Sequence, residues 1–104
     1  MTVEELKEKL NKGEDMMMLD VREKDEAEAA GDMIQGSENV PMGKVFVEAA
    51  QGKLPKDKKI VTICKTGGRC EIVARELKEK GYDIDHLEGG IEAWKKSAPT
   101  GTAE

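Results

Sequence analysis

The stretch "KKIVTICKTGGRCEIVARELKEKG", residues 58–81, limits the fold more than any other part of the chain. Its apolar, β-branched opening, residues 58–64, reads as a buried strand. The glycine pair Gly67-Gly68 breaks that run. Residues 69–81 then resume at helical spacing, with Ile72, Val73 and Leu77 on one side and Gly81 as the stop signal. A strand that feeds a helix through a glycine turn is a building block of parallel α/β sheets.

The rest of the chain repeats this alternation. Thr2 and Glu5 fit a capping box, and Val3, Leu6 and Leu10 follow at helical spacing. Asn11, Lys12 and Gly13 end that helix. "MMMLDV", residues 16–21, fits a short buried strand. Residues 22–31 favour a short helix ending near Gly31. Gly36-Ser37 marks a turn, and a brief extended piece follows and stops at Pro41. Residues 42–52 read as helix, broken by Gly52 and Pro55. "YDIDHL", residues 82–87, alternates as a strand, and "GGIEAWKKS" reads as a last short helix. The expected fold is α/β, a small parallel sheet of about four to five strands flanked by helices on both faces. One domain is expected over residues 1–97, with 98–104 as a polar C-terminal tail.

Composition narrows the function classes. Charged residues are 38% of the chain and the net charge is −5, which argues against a nucleic-acid partner. Phe46, Tyr82 and Trp94 are the only aromatics, so aliphatic residues and Met must fill the core. The "MMM" run is read as core filler rather than a soft-metal site. No apolar run reaches the roughly 18 residues of a membrane span. The opening "MTVEELKEKL" lacks a signal-peptide core, so a cytoplasmic location is expected. In a reducing compartment, both cysteines are expected as free thiols.

Cys64 and Cys70 flank the glycine turn. In parallel α/β sheets, ligands collect beyond the carboxyl ends of strands, which is where Cys64 falls. There the unpaired N–H groups of a helix start, a glycine nest at Gly67 and Gly68, and the cations Lys65 and Arg69 would stabilise a thiolate. The pKa of Cys64 should then lie below the free-thiol value of about 8.5. Spacing alone leaves a second reading open, in which Cys64 is a small buried hydrophobe beside an ordinary turn. The P-loop pattern is absent, which disfavours a nucleotide site. Cys64, Cys70 and His86 match no zinc spacing, so neither metal nor cofactor is expected. His86 reads as a surface or half-buried residue, and the run "KDKK" at 56–59 as a solvated turn that would add positive potential if it lay near the loop.

The blocks "LDVRE", "ENVP", "CKTGGR", "LKEKGYD" and "LEGGIEAWKK" together resemble a single-domain rhodanese, a sulfurtransferase. The resemblance runs from about Val3 to Lys96. It implies that Cys64 is the nucleophile, taking a sulfane sulfur from thiosulfate or a low-molecular-weight persulfide and passing it to cyanide or a thiol acceptor. It further implies a cradle of Lys65, Thr66, Gly67, Gly68 and Arg69, with Lys65 and Arg69 orienting an anionic donor, and a structural ion pair of Asp20 with Arg22. The loop from Cys64 to Arg69 spans six residues, the length that goes with sulfur in such proteins. Related phosphatases and arsenate reductases carry one more. A protein sulfur-relay or regulatory binding module, with a protein partner, is the alternative.

This chain departs from the family pattern in places. Met33 stands where a histidine is usual, the stretch before "ENVP" is longer by about two residues, and the leading strand shrinks to at most Thr2-Val3. Cys70 replaces a common serine. It is either a small packing residue at the helix start or a resolving thiol for Cys64.

Overall fold

The computed structural model describes residues 1–97, so the 98–104 tail lies outside the described residues. Chain order is α1 (Val3–Asn11), β1 (Met16–Asp20), α2 (Lys24–Ala30), β2 (Glu38–Asn39), α3 (Met42–Ala50), β3 (Lys59–Ile63), α4 (Gly68–Glu79), β4 (Ile84–His86) and α5 (Gly90–Lys96). The four strands form a parallel sheet in the order β2-β1-β3-β4, within the range expected from the sequence. The capping box forms as read: the Thr2 hydroxyl accepts from the Glu5 N–H, and Glu5 answers on the Thr2 N–H.

The period-2 alternation of β1 and β3 sorts the core into two layers. Leu19, Val21 and Ile60 pack with Val45 of α3 and Val73 and Leu77 of α4. Met18, Val61 and Ile63 face the other way, onto Leu6 of α1 and Ile91 of α5. Both faces are therefore covered, as parallel sheets require. Thr2-Val3, the most that was expected of a leading strand, forms none: Thr2 is the cap of α1 and Val3 its first residue. Instead Met1 lies beside β4, where its C=O accepts from the Glu88 N–H at 2.8 Å and its amino group donates to the His86 C=O at 2.9 Å. The opposite edge, β2, is only two residues long because Pro41 stops it.

Lys58 and Lys59 sit at the amino end of β3 and pair with Asp15 and Asp83. Cys64 follows the carboxyl end of the same strand. The "KDKK" run thus lies at the far end of the sheet from the cysteine loop.

Candidate active site

Cys64 leaves β3 at the sheet's carboxyl edge, and α4 begins four residues later. Gly67 makes that short return, with φ at 106° in the left-handed region. Gly68 does not share this role. It is the first residue of α4, its φ is not positive, and a Cβ there would meet nothing within 4 Å. The nest expected from both glycines therefore takes its left-handed turn from Gly67 alone. A second glycine pair, Gly89-Gly90, has positive φ at both positions, 76° and 61°, where it opens α5.

The return points backbone donors at sulfur. Cys64 Sγ accepts from the N–H of Gly67 at 3.0 Å and of Cys70 at 3.4 Å. The Cys70 Sγ stands 3.3 Å from it, and once Cys64 is a thiolate the Cys70 S–H is the donor of this pair. That thiol is the largest influence on Cys64, whose pKa falls to about 5 although burial opposes the fall; the N–H groups of Cys70, Gly67 and Arg69 add to it. Conversely, Cys70 is pushed far above the usual thiol range, first by its bond to Cys64 and then by burial. The cations anticipated from sequence are not the chief cause. Lys65 and Thr66 are exposed at the loop's mouth. Arg69 turns sideways, its guanidinium gripping Glu26 of α2 through two bonds of 2.9 and 2.7 Å. That fork holds the Glu26 carboxyl below its ordinary range. Cys64 is 1% exposed.

The depressed pKa sets a pH expectation. A lowered thiol pKa means that thiolate persists down to the folded value. Thiolate absorbance in the ultraviolet, taken as wild type minus Cys64→Ser, is expected to fall with a midpoint near pH 5. A midpoint near the free value of about 8.5 would contradict the cradle's electrostatics.

α5 holds the loop from behind. The Ile91 N–H donates to the Cys64 C=O at 2.7 Å, and the Glu92 N–H to the Lys65 C=O at 3.0 Å. This approach needs Gly90, where a Cβ would lie 2.3 Å from the Cys64 carbonyl oxygen and 2.7 Å from the Lys65 carbonyl carbon. Gly90→Ala is expected to destabilise the fold by about 2–4 kcal/mol and to displace the loop, since a backbone clash adds to a strained φ. Gly68→Ala is expected to be neutral or stabilising by up to about 1 kcal/mol, because its site is helical and open. Chemical denaturation of both variants checks the pair.

Asp20 and Arg22 meet on the other side of β3. Asp20 is fully buried and Arg22 is 2% exposed. The guanidinium donates to Asp20 at 2.7, 3.0 and 3.2 Å, and to Asp32 at 2.9 Å. Asn39 ties β2 to this corner, its side-chain amide donating to the Asp20 and Arg22 C=O groups, each at 2.9 Å. The Val21 N–H reaches the Ile63 C=O, directly before Cys64, at 2.8 Å. Asp32, Glu26, Asn39 and Gly90 are the members of this neighbourhood that sequence reasoning missed. Asn39 and Gly90 lie inside the quoted blocks "ENVP" and "LEGGIEAWKK", whereas Asp32 and Glu26 carried no such signal. Met33 is half-buried, and His86 is half-buried beside Asp85. Among the described residues no cluster of His, Cys, Asp and Glu has metal-binding geometry, and no helix is long and apolar enough to cross a membrane.

Comparison with known proteins gives a consistent set of matches. The family model described as the rhodanese-like domain matches residues 2–97. The Bacillus subtilis protein YtwF is 37% identical over 90 residues, covering 86% of this chain and 84% of its own length. An Allochromatium vinosum protein named sulfurtransferase is 32% identical over 94 residues, covering 89% of this chain and 84% of that one. Among solved structures, SSP1007 from Staphylococcus saprophyticus superposes with a TM-score of 0.78 at 31% identity, covering 90% of each chain.

Proposed function

The chain belongs to the rhodanese-like domain family, and on that premise we propose that it takes a sulfane sulfur onto Cys64 as a persulfide and hands it to a nucleophilic acceptor. The donor is thiosulfate or a low-molecular-weight persulfide, and the acceptor is cyanide or a thiol. The observation that carries this reading is the cradle itself, in which backbone N–H groups and a thiol converge on one buried sulfur.

With thiosulfate, the Cys64 thiolate attacks the outer sulfur, a bond forms between the two sulfurs, and sulfite departs with the electron pair of the broken bond. No general base is required, because Cys64 is ionised at neutral pH. The N–H groups of Gly67 and Cys70 suit the negative charge carried by thiolate and persulfide alike. A cyanide or thiolate acceptor then attacks the outer sulfur and releases Cys64 as thiolate. Lys65, at the mouth, offers the anionic donor a cation.

One observation favours a second reading, transfer from a protein-bound persulfide. Arg69 is committed to Glu26, which neutralises the cation best shaped to hold a small free dianion. Turnover of thiosulfate with cyanide, set beside transfer from a persulfidated protein donor, separates the two. Faster turnover with thiosulfate supports the small-molecule reading. A Glu26→Gln variant that gains thiosulfate turnover supports the relay reading, because it frees Arg69 for the donor.

A further inference from the structure

Sulfur transfer uses one thiol, yet the fold holds a second against it. Cys70 is 0% exposed, and both its backbone polar groups are engaged. Its C=O accepts from the buried Thr62 hydroxyl at 2.9 Å, and its N–H points at Cys64 Sγ. Its own Sγ has the Cys64 sulfur and the Gly67 C=O as neighbours, each at 3.3 Å, and the Leu87 C=O at 3.8 Å. A packing residue needs no such alignment with a nucleophile.

We propose that Cys70 is a resolving thiol: once Cys64 carries an outer sulfur, Cys70 attacks Cys64 Sγ, closes a Cys64–Cys70 disulfide and expels the outer sulfur as hydrosulfide. The proposal rests on the loading of Cys64 described above. The geometry selects the inner sulfur, because Cys70 Sγ faces Cys64 Sγ directly. A disulfide bond is about 2.05 Å long, so the two sulfurs must close by about 1.3 Å from their 3.3 Å separation. Rotation about the two Cα–Cβ bonds and a small shift of the glycine loop supply that movement.

The step balances. The bond between Cys64 Sγ and the outer sulfur breaks as the Sγ–Sγ bond forms. The Cys70 proton passes to the departing sulfur, which leaves as HS⁻. The dithiol loses two electrons and the sulfane sulfur gains them. A thiol or dithiol reductant returns the pair to its starting state, so with such a reductant the chain acts as a sulfane-sulfur reductase. Transfer to an external acceptor then competes with this internal discharge.

A purely hydrogen-bonding Cys70 is separable by experiment, because serine keeps the donor and cannot form the disulfide. The fully reduced chain is exposed to thiosulfate and, separately, to inorganic polysulfide, without reductant, then quenched in acid and weighed. Wild type is expected to finish two hydrogen atoms lighter and, in the thiosulfate arm, to release about one sulfide per chain. Cys70→Ser is expected to finish one sulfur atom heavier and to release at least about tenfold less sulfide. Wild type that retains the extra sulfur as the variant does overturns the proposal. If the variant gains no sulfur from either donor, the loading reading fails, and dilute hydrogen peroxide then decides the pair. Peroxide converts Cys64 to a sulfenic acid, whose hydroxyl leaves as water when Cys70 attacks. A Cys64–Cys70 disulfide in that arm supports the resolving pair, and accumulation of sulfenic or sulfinic acid on Cys64 overturns it.

Discussion

Cys64→Ser is expected to lower sulfur transfer by at least about 10³-fold while leaving the fold intact. The substitution keeps the volume and the cradle but removes the ionised sulfur. A serine hydroxyl cannot be brought to an alkoxide by the same weak donors, whereas the thiol is already lowered to about 5. Its side chain sits among Cys70 and the Gly67 N–H, where an oxygen finds the same partners, so unfolding should move by no more than about 1 kcal/mol. Transfer assays and chemical denaturation, run together, check both halves. Retained transfer in Cys64→Ser would place the chemistry elsewhere.

Asp20→Ala is expected to destabilise the protein by about 3–5 kcal/mol, because it strands a guanidinium that is 2% exposed. Asp32 remains as one partner at 2.9 Å, but the three contacts from Asp20 disappear. The loss should reach the loop, since Asp20 pairs with Ile63 in the sheet and Ile63 precedes Cys64. The double change Asp20→Leu with Arg22→Met is expected to be the more stable of the two, as apolar residues leave no buried charge unpaired. Urea unfolding of both variants is the check. A single variant as stable as wild type would show that water or Asp32 satisfies Arg22 without Asp20.

The strands and helices were legible because each carries its own local pattern. The continuous β-branched run Ile60, Val61, Thr62 and Ile63 marks β3, and Gly81 marks the end of α4. The candidate nucleophile was legible for a related reason: a cysteine at a strand end before a glycine turn has one outlet in a parallel sheet, its carboxyl edge. Arrangements that depend on distant segments were not legible. Arg69 and Glu26 lie 43 residues apart, and no local pattern says that α2 will bring a carboxylate to that guanidinium. The same holds for Asp32 beside Arg22, which completes a buried ion cluster from another loop. The second glycine of the turn misled because a sequence pair suggests a shared role. In space the positive φ falls on Gly67, and the close approach belongs to Gly90. The relation of Cys70 to Cys64 depends on how tightly the chain reverses at Gly67. Residue spacing does not set that angle, and the contact emerges only once α4 is in place.

The most direct measurement is peptide mapping of the Cys70→Ser chain after exposure to thiosulfate, glutathione persulfide and a protein persulfide in parallel. In that chain a loaded Cys64 has no neighbouring thiol to discharge it. The predicted result is one added sulfur on the peptide containing Cys64, under at least one donor, removed by cyanide as thiocyanate. An unmodified Cys64 under all three donors would contradict sulfur transfer through this cradle.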